Sequence, residues 1–284
     1  MLVPPTQDEL MSEPAHVSVV APNPSAVAKW VWAVPFVLFL LTAPLWLHWW
    51  EPQMYLYINA LCLPVAAWVW TGLSIFGNGW GIFGVTAPLL VLAPRAMWAW
   101  MCAAPFAAVL ARTGKDLLES PRPAAVVDNT QMRIVGETLH NVSMPSGHTL
   151  TAFAVAAGLY FSVPRATRAR YAWLWLLAMG AGLSRIAVGA HWPGDVAVGA
   201  ALGILAGLLG HTVWQRVPAT WLVPSHWAAR LVGVLLALAC YHMVFDELDF
   251  PENWVLQNIL AVVTAASLLA FVWQNWRLRA SAQR

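Results

Sequence analysis

Long apolar runs alternate with short polar connectors along this chain, a pattern that predicts a stack of membrane helices. A bilayer-spanning helix needs about 20 mostly apolar residues. Apolar runs predict helices at residues 30–50, 80–93, 96–110, 149–163, 172–188, 196–213, 227–244 and 254–273. Residues 55–76 are apolar as well, but Pro64 interrupts them and Gly77-Asn78-Gly79 closes them, which leaves open an interfacial, a re-entrant or a full span. The helix that starts near Ala96 carries Lys115 towards the membrane surface. The run 196–213 places Gly199, Gly203 and Gly207 at the small-xxx-small spacing that lets membrane helices approach closely. Asp195 lies one turn earlier on the same stripe, so its carboxylate is expected to face the bundle, where an ionisable group is tolerable. The last two runs predict a hairpin around the acidic turn Asp246-Glu247-Leu248-Asp249.

Residues 1–28 are polar, contain proline and lack periodicity, as a flexible tail does. They have no basic start of the kind a cleavable signal peptide needs, so the run 30–50 reads as an uncleaved anchor. Composition agrees with the pattern: 60% hydrophobic and 10% charged residues exclude a soluble globular domain. The 19 tryptophans fit the headgroup level of a bilayer. A net charge of +2 on scattered basic residues gives no case for a nucleic-acid partner. Cys62, Cys102 and Cys240 sit inside apolar runs without C-x-x-C spacing, so packing is expected of them and neither a disulfide framework nor a metal cage. With a cytoplasmic N-terminus and one net crossing over 55–94, Lys29, Arg95, Arg165, Arg168, Arg170, Arg216, Arg277, Arg279 and Arg284 fall on the inside. Lys115, Arg122, Arg133 and Arg185 fall on the opposite face, together with most of the acids.

The polar chemistry is concentrated between Lys115 and Asp195. Three pieces carry it: Lys115, six residues and Arg122-Pro123; Pro145-Ser146-Gly147-His148; and Ser184-Arg185, five residues, His191, three residues and Asp195. Together they supply what is needed to hold and cleave a phosphate ester without a metal, because positioned cations and donors carry most of the stabilisation in phosphoryl transfer. Lys115, Arg122 and Arg185 are the candidate cations. Ser146 and Gly147 precede an apolar helix, where unpaired N–H groups and the helix dipole attract anions, and glycine permits close approach. His148 is the candidate general acid. Asp195 can accept from one nitrogen of His191 and leave the other as a nucleophile for phosphorus, giving a phosphohistidine. Each piece alone has an ordinary reading: a snorkelling lysine, an N-cap turn, an interfacial histidine. Their conjunction favours a site. Bland readings suffice for Asn141-Val142-Ser143, a chance glycosylation sequon; for His140, a solvated loop residue; for His48, His211, His226 and His242 near span ends; and for the Arg165, Arg168 and Arg170 cluster, a topogenic loop.

These three pieces, in this order and spacing, resemble the signature of the type 2 phosphatidic acid phosphatase superfamily, over roughly residues 60–213. The resemblance implies an all-α polytopic membrane bundle with a six-helix core. It implies that His191 is the nucleophile, Asp195 its orienting partner and His148 the acid, that Lys115, Arg122, Ser146, Gly147 and Arg185 bind phosphate, and that no metal or cofactor is needed. The chain then divides into a cytoplasmic tail (1–28), a transmembrane core (29–214) and an additional hairpin with a short basic tail (215–284), the hairpin standing clear of the signature. The expected activity is that of a lipid phosphatase acting on undecaprenyl diphosphate, a phosphatidylglycerophosphate or a phosphatidate, in a bacterial inner membrane with the site facing the periplasm. Alternatives with the same site are a lipid phosphotransferase and a lipid A phosphatase. An embedded chain argues against a haloperoxidase, and a transporter or scaffold with a silent site is the non-enzymatic alternative.

Overall fold

The structure, a computed structural model, describes residues 27–282, so the predicted tail lies outside the described residues except for its last two positions. Every regular element among the described residues is a helix. Prolines set much of the segmentation, because an interior proline removes a backbone donor and clashes with the preceding turn. The run 30–50 is therefore not the single span expected. It forms a 3-10 turn, Lys29–Ala33, then α1 (Val34–Leu41) and α2 (Ala43–Trp46), with the break at Thr42, whose hydroxyl donates to Leu38 O at 2.8 Å, just before Pro44. The ambiguous region resolves into α3 (Gln53–Leu61) and α4 (Ala67–Ser74) on either side of Pro64. The run 80–93 is likewise split, into α5 (Gly79–Thr86) and α6 (Leu89–Leu92), at Pro88. In the next run α7 (Pro94–Met101) gives way to α8 (Ala104–Leu118), which carries Lys115 in its last turn. A short α9 (Pro123–Val126) leads into the long polar connection, and the remaining helices are α10 (Gly147–Ser162), α11 (Trp173–Ala187), α12 (Pro193–Trp214), α13 (Trp227–Phe245) and α14 (Trp254–Ala282).

By length and composition, three helices among the described residues can cross a membrane: Pro193–Trp214, Trp227–Phe245 and Pro251–Ser281. Large apolar side chains such as Phe36, Leu40, Trp68, Leu92, Leu176 and Val262 are exposed, as they are when the solvent is hydrocarbon. This is an all-α membrane protein. At its centre α12 lies against α10, and the glycine stripe is what lets them meet. A Cβ at Gly203 would stand 2.5 Å from Leu150 O, and one at Gly199 would stand 2.8 Å from Ser146 O. Because those contacts are to backbone, no side chain can give way. Gly203→Val is expected to cost about 1–3 kcal/mol of stability by overpacking, read as a lowered unfolding temperature in detergent, and an unchanged temperature would show that the two helices are free to separate.

Three further details complete the bundle. Arg168 donates to Phe161 O and Val163 O, both at 3.2 Å, satisfying carbonyls at the end of α10, so at least one arginine of the presumed topogenic cluster also serves as a cap. The hairpin α13–α14 packs on α5 and α6 through Ile82, Leu90, Val232, Leu236 and Phe271. His211, expected at an interface, is instead buried in α12 beside Trp214 and Phe161, with Gln215 within hydrogen-bond reach.

Candidate active site

After α11 the chain reverses at Gly189, whose φ of +85° is open to glycine at little cost, and a side chain there would collide with Arg133 O at 2.7 Å. The reversal lets Ala190 N and His191 N both donate to Arg185 O, at 2.9 and 3.2 Å, which ties the loop to the helix bearing Arg185. Arg133 locks the same corner by donating to Ala187 O, Val65 O and Cys62 O, while Asn59 donates to Ile186 O. The next helix, α12, opens with Asp195 in its first turn, and the buried carboxylate closes that turn by accepting from Trp192 N at 2.9 Å.

The same Asp195 oxygen, Oδ2, lies 3.1 Å from His191 Nδ1 and accepts a short hydrogen bond from Ser143 Oγ, which is itself 3.2 Å from Nδ1. On the far side of the ring, Arg122 Nη1 approaches His191 Nε2 at 3.3 Å. A guanidinium only donates, so Nε2 is the acceptor and the proton belongs on Nδ1. Arg122 is fixed by donating from Nη1 to Ala190 O at 2.8 Å and from Nε to Asn141 Oδ1 at 2.6 Å, and Trp192 Nε1 donates to the carbonyl just before it, Pro121 O, at 2.7 Å. Burial, then the charges of Arg122, Arg185, His148 and Lys115, hold the His191 imidazole well below the ordinary histidine range. It is therefore neutral at pH 7, with a lone pair on Nε2.

The other expected residues surround this ring. Ser146 caps α10, its Oγ accepting from Thr149 Oγ1 at 2.9 Å, but its own N–H is already bonded to Asp195 O at 3.0 Å. Of the two backbone positions expected to meet an anion, Gly147 is the one with room beside its Cα, since a Cβ there would meet nothing within 4 Å. Arg185 is buried, with Nη1 donating to Ser74 Oγ at 2.6 Å and Nε without a partner among the described residues. Lys115, half-buried, makes no hydrogen bond among the described residues, and it lies near enough to Arg122 and Asp195 for their charges to act on it. His148 Nε2 is 2.8 Å from Asp249 Oδ2.

That last contact overturns one expectation: the hairpin does not stand clear of the signature. A second correction concerns Asn141-Val142-Ser143, where Asn141 holds Arg122 and the buried Ser143 joins His191 to Asp195. The sequon match hid both. Ser74, Asn78 and Asp249 carry no motif that could have marked them. Beside His148 opens a cavity of about 350 Å³ lined by Gly77, Phe83, Trp100, Ala107, Gly147 and Val155. Ile82 and Val155 also line a second, largely apolar cavity of about 530 Å³ further along α10. Among the described residues no group of three or more His, Cys, Asp or Glu is placed to hold a metal ion.

Comparison with known proteins follows the geometry. The profile of the PAP2 superfamily matches residues 94–219. Bacitracin transport permease protein BcrC of Bacillus licheniformis is 37% identical over 103 residues, 36% of this chain and 47% of that protein. Decaprenylphosphoryl-5-phosphoribose phosphatase of Mycobacterium tuberculosis is 32% identical over 148 residues, 50% of this chain and 77% of that protein. The crystal structure of Aquifex aeolicus LpxE is similar with a TM-score of 0.50 at 28% identity, covering 56% of this chain and 93% of that one. The match thus spans about half the length of the Bacillus relative and three quarters of the mycobacterial one.

Proposed function

This chain belongs to the PAP2 superfamily, and we propose that it is a membrane phosphatase that removes phosphate from a lipid through a phosphohistidine at His191. One observation carries the reading: a buried, neutral imidazole is held through Nδ1 by Asp195 and Ser143, with Nε2 turned towards Arg122. Nε2 attacks phosphorus as the P–O bond to the lipid breaks. The bonding pair leaves with the oxygen, which takes a proton from His148. Water then attacks the phosphohistidine and gives a proton to His148, and cleavage of the P–N bond returns inorganic phosphate, neutral His191 and protonated His148. Arg122, Arg185 and Lys115 stabilise the charge on the transferring group, with the open backbone at Gly147. These cations replace a metal ion in the reaction.

A lipid substrate is supported by the largely apolar cavity beside His148, where the leaving alcohol would lie, and by the second apolar cavity that shares Ile82 and Val155 with it. The name of the mycobacterial relative, a decaprenylphosphoryl-5-phosphoribose phosphatase, points the same way. The distribution of basic residues supports a site on the periplasmic face of a bacterial inner membrane, with the N-terminus in the cytoplasm. The test is phosphate release by the purified protein from undecaprenyl diphosphate, phosphatidylglycerophosphate, phosphatidate and lipid A in parallel, with EDTA present. Release from at least one is expected, at a rate the chelator leaves unchanged. Silence on all four sinks the phosphatase reading, and activity that EDTA removes and a divalent ion restores sinks the metal-free mechanism.

A further inference from the structure

The hairpin α13–α14 lies beyond the segment that the family profile covers, yet its turn reaches two signature residues on two other helices. Asp249 Oδ2 is 2.8 Å from His148 Nε2 and accepts from Asn78 Nδ2 at 2.7 Å. The neighbouring Phe250 is buried, with its ring centre 5.4 Å from the Arg185 guanidinium carbon. The turn is braced from both ends. Gln257 donates to Met243 O at 2.8 Å and accepts from Leu248 N at 3.2 Å, and Asn253 donates to Thr71 O at 2.9 Å. Asp249 itself sits at φ +64°, a left-handed turn conformation that aspartate tolerates better than most residues.

We propose that Asp249 is a positioning residue of the active site, its carboxylate holding the acid His148 by Nε2 and leaving Nδ1 to face the leaving oxygen. The proposal rests on the phosphatase reading above. A general acid must carry its proton at the start of the cycle. His148 stands where burial and the charges of Arg185 and Arg122 oppose protonation, with His191 as a further neighbour. The carboxylate of Asp249 is the opposing influence. Burial would raise the Asp249 pKa, but the hydrogen bond and charge of His148, the hydrogen bond from Asn78 and the charge of Arg185 hold it well below the usual carboxylate range, so it stays ionised across the working pH. Each imidazole thus has its own carboxylate. Asp195 reaches His191 from four residues away, whereas Asp249 reaches His148 from 101 residues away and a different helical pair.

The experiment compares wild type with D249N and D249E. Asn keeps the size and hydrogen-bonding capacity but removes the charge, and Glu restores it. NMR titration of ring-labelled histidine is expected to show the His148 pKa falling by about one unit or more in D249N, with partial recovery in D249E. Phosphate release from a lipid alcohol ester should fall about 10- to 100-fold in D249N, within the range that general acid catalysis supplies, and the alkaline limb of kcat/KM should move to lower pH. An alkyl-substituted 4-nitrophenyl phosphate, whose phenolate leaves without a proton, should be cleaved by D249N with the wild-type kcat/KM, which reports only the first phosphoryl transfer. An unchanged His148 titration, or equal losses on both substrates, overturns the proposal. If wild type releases no phosphate from either, it is the phosphatase reading that falls, and the titration still decides whether Asp249 governs the charge of His148.

Discussion

His191→Ala is expected to reduce phosphate release by roughly 10⁴-fold or more, because it removes the atom that the proposed mechanism makes the nucleophile. The effect should fall on kcat and leave lipid binding nearly intact, since Arg122, Arg185 and Lys115 remain to hold the phosphate. Rapid denaturation during turnover of a lipid labelled in its phosphate should leave label on wild type, stable in base and labile in acid, and none on the variant. Label persisting in His191→Ala would place the nucleophile elsewhere. The surroundings explain why no separate base is needed to activate this ring. The buried imidazole is already neutral, so in the proposed reaction Asp195 and Ser143 would fix the tautomer and the aim of Nε2, and Asp195 would offset the positive charge that develops as the P–N bond forms.

What could be read in the sequence was what the chain makes local. Helix-length apolar runs mark an all-α membrane bundle because lipid requires the backbone to satisfy its own hydrogen bonds, and three glycines four residues apart mark the face on which α12 meets α10. The closeness of His191 and Asp195 could be read from their spacing, since four residues at a helix start span one turn. Helix continuity was less legible. A hydropathy pattern does not register that Pro44, Pro88 and Pro105 stand at interior positions, and the structure breaks those runs into short pieces. Contacts made across the fold were not legible at all. Asn141 and Ser143 matched a commoner pattern, the sequon, and gave no sign that the connection between α9 and α10 folds back under His191. Asp249 belonged to an acidic turn, and only the packing of the hairpin on α5 and α6 carries that turn to His148.

Arg122→Lys tests whether the fork of donors at His191 matters as much as its charge. Arginine here makes three directed contacts from two nitrogens, to Asn141 Oδ1, Ala190 O and His191 Nε2, and so fixes a cation beside the atom proposed to attack, its position set by Asn141 and the Ala190 carbonyl. Lysine keeps the charge but presents a single nitrogen on a flexible stem, so it cannot make the same set at once. A donor aligned with the charge developing in the transition state contributes a factor of about 10²–10³, and a loss of that size in kcat/KM is expected. Most of it should appear in kcat, because a lysine at this position still attracts the phosphate dianion. The acid limb of the rate profile should stay below the ordinary histidine range, since burial is the larger cause of the low His191 pKa and a cation still stands beside the ring. Activity within about threefold of wild type would instead assign Arg122 to tying the 119–122 segment to the His191 loop. An unfolding temperature measured on the same variant separates the two roles: a clasp lost in folding lowers it, and a donor lost in the reaction does not.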